Sequence, residues 1–146
     1  MAPALVTLKA SATVMITFYI LLLASGTKAA CPRCDARSSS SRLQKEDCLI
    51  GANYLRGLPA ATMCFPDASG CSGMVHINSC ATEICGPPEG QGILCSTAAD
   101  YVTAAAFACT DSTGSLPDAN MTVTEDPTLS IILTKPYASY APGSVG

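Results

Sequence analysis

Residues 95–109 read Cys-Ser-Thr-Ala-Ala-Asp-Tyr-Val-Thr-Ala-Ala-Ala-Phe-Ala-Cys. Ala98, Val102, Ala105 and Cys109 recur at intervals of four, three and four, the period of one helical face. Thr97 and Asp100 have capping-box spacing, and an acid in the first turn suits the helix dipole. The run Ala104-Ala105-Ala106 has high intrinsic helix propensity. A face made of alanines lets such a helix come close to a sheet. The segment is therefore a short helix bounded by cysteines, and the rest of the chain has to supply what it packs on.

Upstream, Cys48, Ala52 and Leu55 mark a second helical face, widened by Leu49. Ser41 with Gln44 forms a capping-box pair at its start, and Gly57 with Pro59 marks its end. Before it, Cys31 to Arg37 reads as a short extended edge piece, followed by a serine linker at Ser38 to Ser41. Residues 57–73 are broken by Gly57, Pro59, Pro66, Gly70 and Gly73 and read as loop. Met74 to Cys80 has strand character, and Ala81 to Ile84 either continues it or starts another strand. Gly86-Pro87-Pro88-Glu89-Gly90-Gln91-Gly92 is a turn. Asp111 to Pro117 is a second turn region, followed by the β-rich stretches Met121 to Thr124 and Leu129 to Thr134. No internal repeat is visible. This order predicts an α+β fold: a small disulfide-stabilised α/β sandwich, two helices packed on a mostly antiparallel sheet.

The N-terminal residues 1–30 have one early charge (Lys9), an apolar block from Val14 to Ala24, and small residues up to Ala29-Ala30. They read as a signal peptide, with an uncleaved anchor and a lipoprotein leader as the competing readings. The predicted divisions are a signal peptide at 1–30, a single cysteine-rich α+β domain at 31–134, and a flexible tail at 135–146. No later segment reads as a membrane span.

All nine cysteines lie beyond the proposed leader: Cys31, Cys34, Cys48, Cys64, Cys71, Cys80, Cys85, Cys95 and Cys109. Such density fits an oxidising, extracellular compartment, where bridges compensate for a thin alanine core. Eight cysteines can make four bridges, in any of many connectivities, and one is left unpaired. Cys31 or Cys34, near the mature terminus, is the first suspect. The Cys31-Pro32-Arg33-Cys34 spacing admits a redox pair, but no strand-then-helix context surrounds it, so structural bridging is preferred. A zinc site would need a second ligand pair at suitable spacing, and none is present.

Only 13% of the residues are charged and 49% are hydrophobic, a balance that argues against global disorder. Beyond Ala30 the chain has six Lys or Arg against eleven Asp or Glu, a formal charge of −5. That excludes the cationic footprint of a nucleic-acid binder. Catalytic chemistry is scarce. His76 is the single histidine, placed in a strand, and neither Ser72 nor Ser79 lies in a nucleophile elbow. The pairs Glu46-Asp47 and Glu125-Asp126 read as a helix-start charge and a turn rather than as glycosidase carboxylates. No catalytic, cofactor or metal-binding residue is assigned. Without tryptophan, sugar stacking would rest on Tyr54, Tyr101, Tyr137 and Tyr140, and Tyr101 is expected in the core. Asn120-Met121-Thr122 is an N-glycosylation acceptor, so Asn120 is expected to be exposed.

Asp47-Cys48 with Ala52, Asn53 and Leu55, then Ser79-Cys80-Ala81, then a helix flanked by Cys95 and Cys109, resembles the small secreted cysteine-rich proteins of fungi. The likeness spans residues 45–134 and is greatest to the killer-toxin-like and extracellular-effector groups. It implies an α/β sandwich with every cysteine paired, an extracellular role, and no catalytic residues. The odd cysteine and the Cys31-x-x-Cys34 terminus fall outside that pattern. The expectation is a secreted, non-enzymatic protein that binds an extracellular protein or glycan at a cell surface. A small secreted lectin, a hydrolase using His76, and a cell-wall or protease-inhibitory module are the alternatives.

Overall fold

Both helices form where the sequence places them, but neither begins with its expected cap. The computed structural model describes residues 31–35, 42–88 and 90–136. The proposed leader, Ser41 and the tail from Tyr137 onward lie outside the described residues. The element order is β1 (Arg33–Cys34), β2 (Leu43–Gln44), α1 (Lys45–Gly57), β3 (Met63–Cys64), β4 (Cys71–Ile77), β5 (Cys80–Cys85), β6 (Ile93–Leu94), α2 (Cys95–Cys109), β7 (Ser115–Leu116), β8 (Ala119–Thr122) and β9 (Ser130–Thr134).

The N-cap positions are Gln44 and Leu94, and neither makes a side-chain cap. Thr97 lies inside the first turn of α2. The free N–H groups at the helix starts are satisfied from across the molecule instead. Lys45 N–H donates to the Gly114 carbonyl at 3.0 Å, and Cys95 N–H donates to the Thr62 carbonyl at 2.9 Å.

β1, β8, β9, β5 and β4 form one five-stranded sheet in that order, with every pair antiparallel. Register divides its two faces. Thr82 and Ile84 of β5, Ile131 and Leu133 of β9, and Ala119 and Met121 of β8 point at the helices and are buried. Together with Leu43, Leu55, Val102, Leu116, Val123 and Leu129 they make the core. α2 buries Ala98, Ala99, Val102, Ala105 and Ala106, so its small side chains do permit the close approach expected of them. Gly51 does the same for α1: a Cβ there would stand 3.1 Å from a Val75 methyl. The result is an α+β fold with two helices on one face of a mostly antiparallel sheet.

Met74 to Cys80 is not one strand. β4 ends at Ile77, and Asn78-Ser79 make a two-residue turn into β5, with Ile77 paired to Cys80. Asn78 is the one described non-glycine residue at positive φ, 44°, a conformation asparagine tolerates better than most residues. The regions read as loop also hold short strands: β3 lies within 57–73 and β7 within 111–117.

The chain has an internal symmetry that its residues conceal. Each helix lies between two-residue strands and is followed by a hairpin: β2-α1-β3 then β4-β5, and β6-α2-β7 then β8-β9. The strand before each helix pairs with the strand after the other, β2 with β7 and β3 with β6. In the sheet, β5 and β9 meet at the centre with their hairpin partners outside them. The two carbonyls that cap the helix starts, Gly114 and Thr62, also occupy matching positions, just before β7 and β3. Cys48, Ala52 and Leu55 of α1 correspond to Ala98, Val102 and Ala105 of α2. The halves share a burial pattern but almost no side chains, which is why no repeat is visible in the sequence.

Candidate functional site

Four disulfides clamp the layers together: Cys34–Cys109, Cys48–Cys80, Cys64–Cys95 and Cys71–Cys85. Cys48–Cys80 ties α1 to β5, and Cys34–Cys109 ties β1 to the end of α2. Cys31 is the free thiol and is exposed. Cys34 is joined to Cys109 rather than to Cys31, so the Cys-x-x-Cys spacing does not form a redox pair. The sulfurs of Cys71 and Cys85 lie with a Glu83 carboxylate oxygen inside 4.8 Å. Those sulfurs are bonded to each other, and a disulfide offers no thiolate for a metal.

Serine, histidine and aspartate do come together, at the β4–β5 turn, but as a clamp. Ser79 donates its hydroxyl to Asp47 at 2.6 Å, and its N–H reaches the same carboxylate at 3.1 Å. Asn78 Nδ2 also donates to Asp47 at 3.1 Å. The Ser79 oxygen accepts the Gln44 N–H at 2.8 Å. Partial burial pushes the Asp47 carboxyl up, while the Ser79 hydroxyl, the Asn78 amide and the Ser79 N–H pull harder and hold it below its ordinary value. His76 Nε2 lies 3.1 Å from the Asn78 carbonyl, and no imidazole stands between Ser79 and Asp47. A nucleophile needs a base on its proton. Here that proton is held by a carboxylate that fixes a turn.

The other acidic pair is also structural. Tyr101 donates to Glu125 at 2.5 Å and accepts the Thr124 N–H at 2.8 Å. Asp126 takes the Thr128 N–H at 3.0 Å and its hydroxyl at 2.6 Å. Tyr101 is part-buried against the core and latches the turn between β8 and β9. Tyr54 is exposed on α1. Tyr137 and Tyr140 lie outside the described residues.

Two concave surfaces among the described residues bear on function. The first is a groove of ≈ 430 Å³ between the end of α1 and the loop from β3 to β4, lined by Leu55, Leu58, Met63, Phe65, Pro66 and Met74 among others. Two apolar side chains of its lining are open to solvent, Met63 at 39% and Phe65 at 53%, with Leu94 beside them at 40%, while Thr62, Asp67 and Ser72 make the rest of its wall part polar. Met63 and Leu94 are direct partners across the β3–β6 ribbon, and Cys64 and Ile93 face inward beside them. Cys64–Cys95 and Cys71–Cys85 hold the two ends of the loop. Inside it, Asp67 accepts the Ser69 N–H at 2.7 Å and its hydroxyl at 2.5 Å, while Gly70 N–H returns to the Asp67 carbonyl at 3.0 Å. Gly70 takes a φ of 91°, open to glycine at no steric cost. Gly92 packs so closely on the Cys64 carbonyl and the Phe65 ring that a Cβ has no room. The rim side chains are thus presented by a backbone fixed at many points. This groove has no sequence signal beyond two unremarked residues, Met63 and Phe65, in a stretch read as loop.

The second is a cleft of ≈ 450 Å³ on the sheet face turned away from the helices, lined by Arg33, Asp35, Asp118, Asn120 and Ile132 among others. Asn120 lies in the middle of β8 and is exposed, as a glycosylation acceptor requires. No family model, curated protein or solved structure matches this chain.

Proposed function

We propose that the protein is secreted and acts outside the cell by binding, without catalysis, in the manner of a fungal effector or killer toxin. Four disulfides make it a small, stabilised body of the kind that persists in oxidising surroundings. No described helix is long and apolar enough to cross a membrane.

The observation that supports this reading best is the solvent-facing Met63–Leu94 pair with Phe65 beside it, on a ribbon whose reverse side is tied down by Cys64–Cys95. Exposed aromatic and apolar side chains beside a groove are the usual anchors of protein recognition. Held in place before contact, they lose little conformational freedom on association. An extracellular protein with an apolar side chain to insert is the partner this rim suits. In a eukaryotic secretory route Asn120 would also receive an N-linked glycan.

The test applies oxidised, purified protein to plant tissue and to competing fungi, alongside a Phe65→Ser variant. The expected result is a tissue or growth response that weakens about tenfold in the variant, the loss typical of one buried anchor, with unchanged circular dichroism and the protein still folded at the assay temperature. A wild-type protein inert on both, or a variant of equal potency, would count against the reading.

A further inference from the structure

Register lines up one row across the sheet. Arg33 of β1 stands across from Asn120 of β8, Asn120 from Ile132 of β9, Ile132 from Glu83 of β5, and Glu83 from Gly73 of β4. By the internal symmetry, β4 and β8 hold matching places outside the central pair. The outer edge of β8 carries a short antiparallel strand, β1, whereas no described strand lies on the outer edge of β4. Bonded and non-bonded pairs alternate along an antiparallel ladder. Gly86 N–H donates to the Gly70 carbonyl at 2.8 Å, so Ser72 meets Ile84 in a bonded pair and Gly73 meets Glu83 in a non-bonded one. The N–H and C=O of Gly73 therefore turn away from β5, toward the free edge. Gly73 is exposed, and what a glycine exposes is almost entirely backbone. Asn120 turns the same two groups toward β1, on a ladder where Asp35 N–H donates to the Asp118 carbonyl at 2.8 Å.

This edge is also a wall of the groove. Ser72, Gly73 and Met74 line one side of it, and Met63, Phe65 and Asp67 belong to the other. A strand laid on Gly73 sends alternate side chains to opposite faces. The residue paired with Gly73 points to the open sheet face, where glycine offers no side chain against it. Its two neighbours point to the face of Ser72, where Ile84 and Leu55 line the groove. The register shift between Gly73 and Val75 is a bulge, which limits edge pairing and keeps such a strand short, like β1. The two small ribbons supply an independent sign. Their inward pairs are apolar in both halves, Cys64 with Ile93 and Leu116 with Leu43. The outward pair is Met63 with Leu94 in one half and Ser115 with Gln44 in the other, so folding does not demand apolar side chains there. Asp67 in the lining and the formal charge of −5 beyond Ala30 favour a basic segment. We propose that the free edge of β4 takes an extended segment of the partner protein as a sixth strand, antiparallel to β4 and paired at Gly73, with apolar side chains entering the groove on either side of that pairing and a Lys or Arg toward Asp67. The inference deepens the binding reading above and rests on it for the partner's being a protein.

The probes are N-acetylated, C-amidated peptides Lys-X-Thr-X-Thr-X-Lys, with X drawn from Val, Leu, Phe and Tyr, titrated into the oxidised full chain. Hydrogen exchange at the Gly73 amide is followed by nuclear magnetic resonance. The expected result is fast exchange in the free protein and a slowing of about tenfold or more at saturation with the best-binding peptide. N-methylation of at least one Thr amide is expected to weaken binding about tenfold, through the loss of a hydrogen bond to the edge. N-methylation of any X amide should leave binding unchanged, because only alternate N–H groups of an added strand face its neighbour. Gly73→Pro removes an N–H that no described residue accepts, on an edge where proline is tolerated, and should weaken binding by a similar factor. If that variant does not fold, the N-methyl scan decides. A Gly73 amide protected without peptide means that the chain itself already fills the edge, and overturns the proposal. So do a peptide set that leaves Gly73 exchange unchanged and a scan without alternation. Such a failure beside a Phe65→Ser loss of potency removes the strand and leaves the binding reading standing. Alternating peptide binding beside full Phe65→Ser potency upholds the strand site and removes that reading.

Discussion

Asp47 shows how a residue that looks catalytic can be structural. It gathers Ser79 and Asn78 from the turn between β4 and β5 onto the first turn of α1, beside the Cys48–Cys80 bridge. Asp47→Ala would leave the Ser79 N–H and hydroxyl without their acceptor and free Asn78 to leave its positive φ. A loss of about 1–2 kcal/mol is expected, read as a shift of the urea midpoint at unchanged slope. The sequence carried part of this: Asp47-Cys48 and Ser79-Cys80 were both notable, and each cysteine's neighbour proves to bond the other's. What spacing could not supply was the pairing. Eight cysteines admit many connectivities, and only the packed fold brings Cys34 to Cys109 and leaves Cys31 over. Asn120 was legible as an acceptor, but the cleft beside it was not. Arg33, Asp118 and Ile132 are brought together by strand register, which the sequence does not encode locally.

At the scale of elements, periodicity identified both helices and β-propensity the final strand pair, with β8 lying two residues earlier than the stretch Met121 to Thr124, and the reading failed at the helix starts. Capping boxes are local devices, and both helix starts here are capped from a distance by carbonyls of the opposite half. Ribbons of two residues hold those carbonyls in place, and pairs that short leave no hydrophobic alternation to detect. Thr97 makes the test. As a true cap it would cost about 1 kcal/mol on replacement by alanine. Lying inside the first turn, Thr97→Ala should change the unfolding free energy by less than about 0.5 kcal/mol, measured by urea titration. A full cap penalty would show that Thr97 contributes to the helix start after all. The Asn78-Ser79 turn was hidden for a related reason. The usual signal is asparagine followed by glycine, and Asp47 here stabilises a serine in that place.

For the molecule as a whole, the aspartates and glutamate that organise turns share one electrostatic bias. Hydrogen bonds from neighbouring hydroxyls and N–H groups hold Asp67, Glu125 and Asp126 below their ordinary values. The Thr113 hydroxyl and N–H, with Ser115 N–H and Arg42, lower Asp111 to about 2. Folded values lower than unfolded ones mean that protonation favours the unfolded chain. Their stabilising contribution is complete above the unfolded values and disappears as pH falls through the folded ones. The melting temperature should therefore be flat from neutral pH to about 5 and fall between about pH 4 and pH 2. A midpoint that rises on acidification through that range would contradict the assignment. The fold class itself was readable from element order and cysteine density, because both are long-range averages; the two-fold arrangement was not, since the halves conserve burial and not identity.

The Gly86–Gly92 connection is the only stretch of chain between those halves. Cys34–Cys109 and Cys64–Cys95 both run from one side of it to the other, and so do the β5–β9 seam and both small ribbons. A peptidase that severs the backbone there produces a two-chain particle, not two separable pieces. Its electrophoretic band should stay whole until a reducing agent is added, then resolve into two, with the melting transition of the nicked form still cooperative. In a medium full of hydrolytic enzymes, a cut at this connection would cost the protein its continuity and leave its shape.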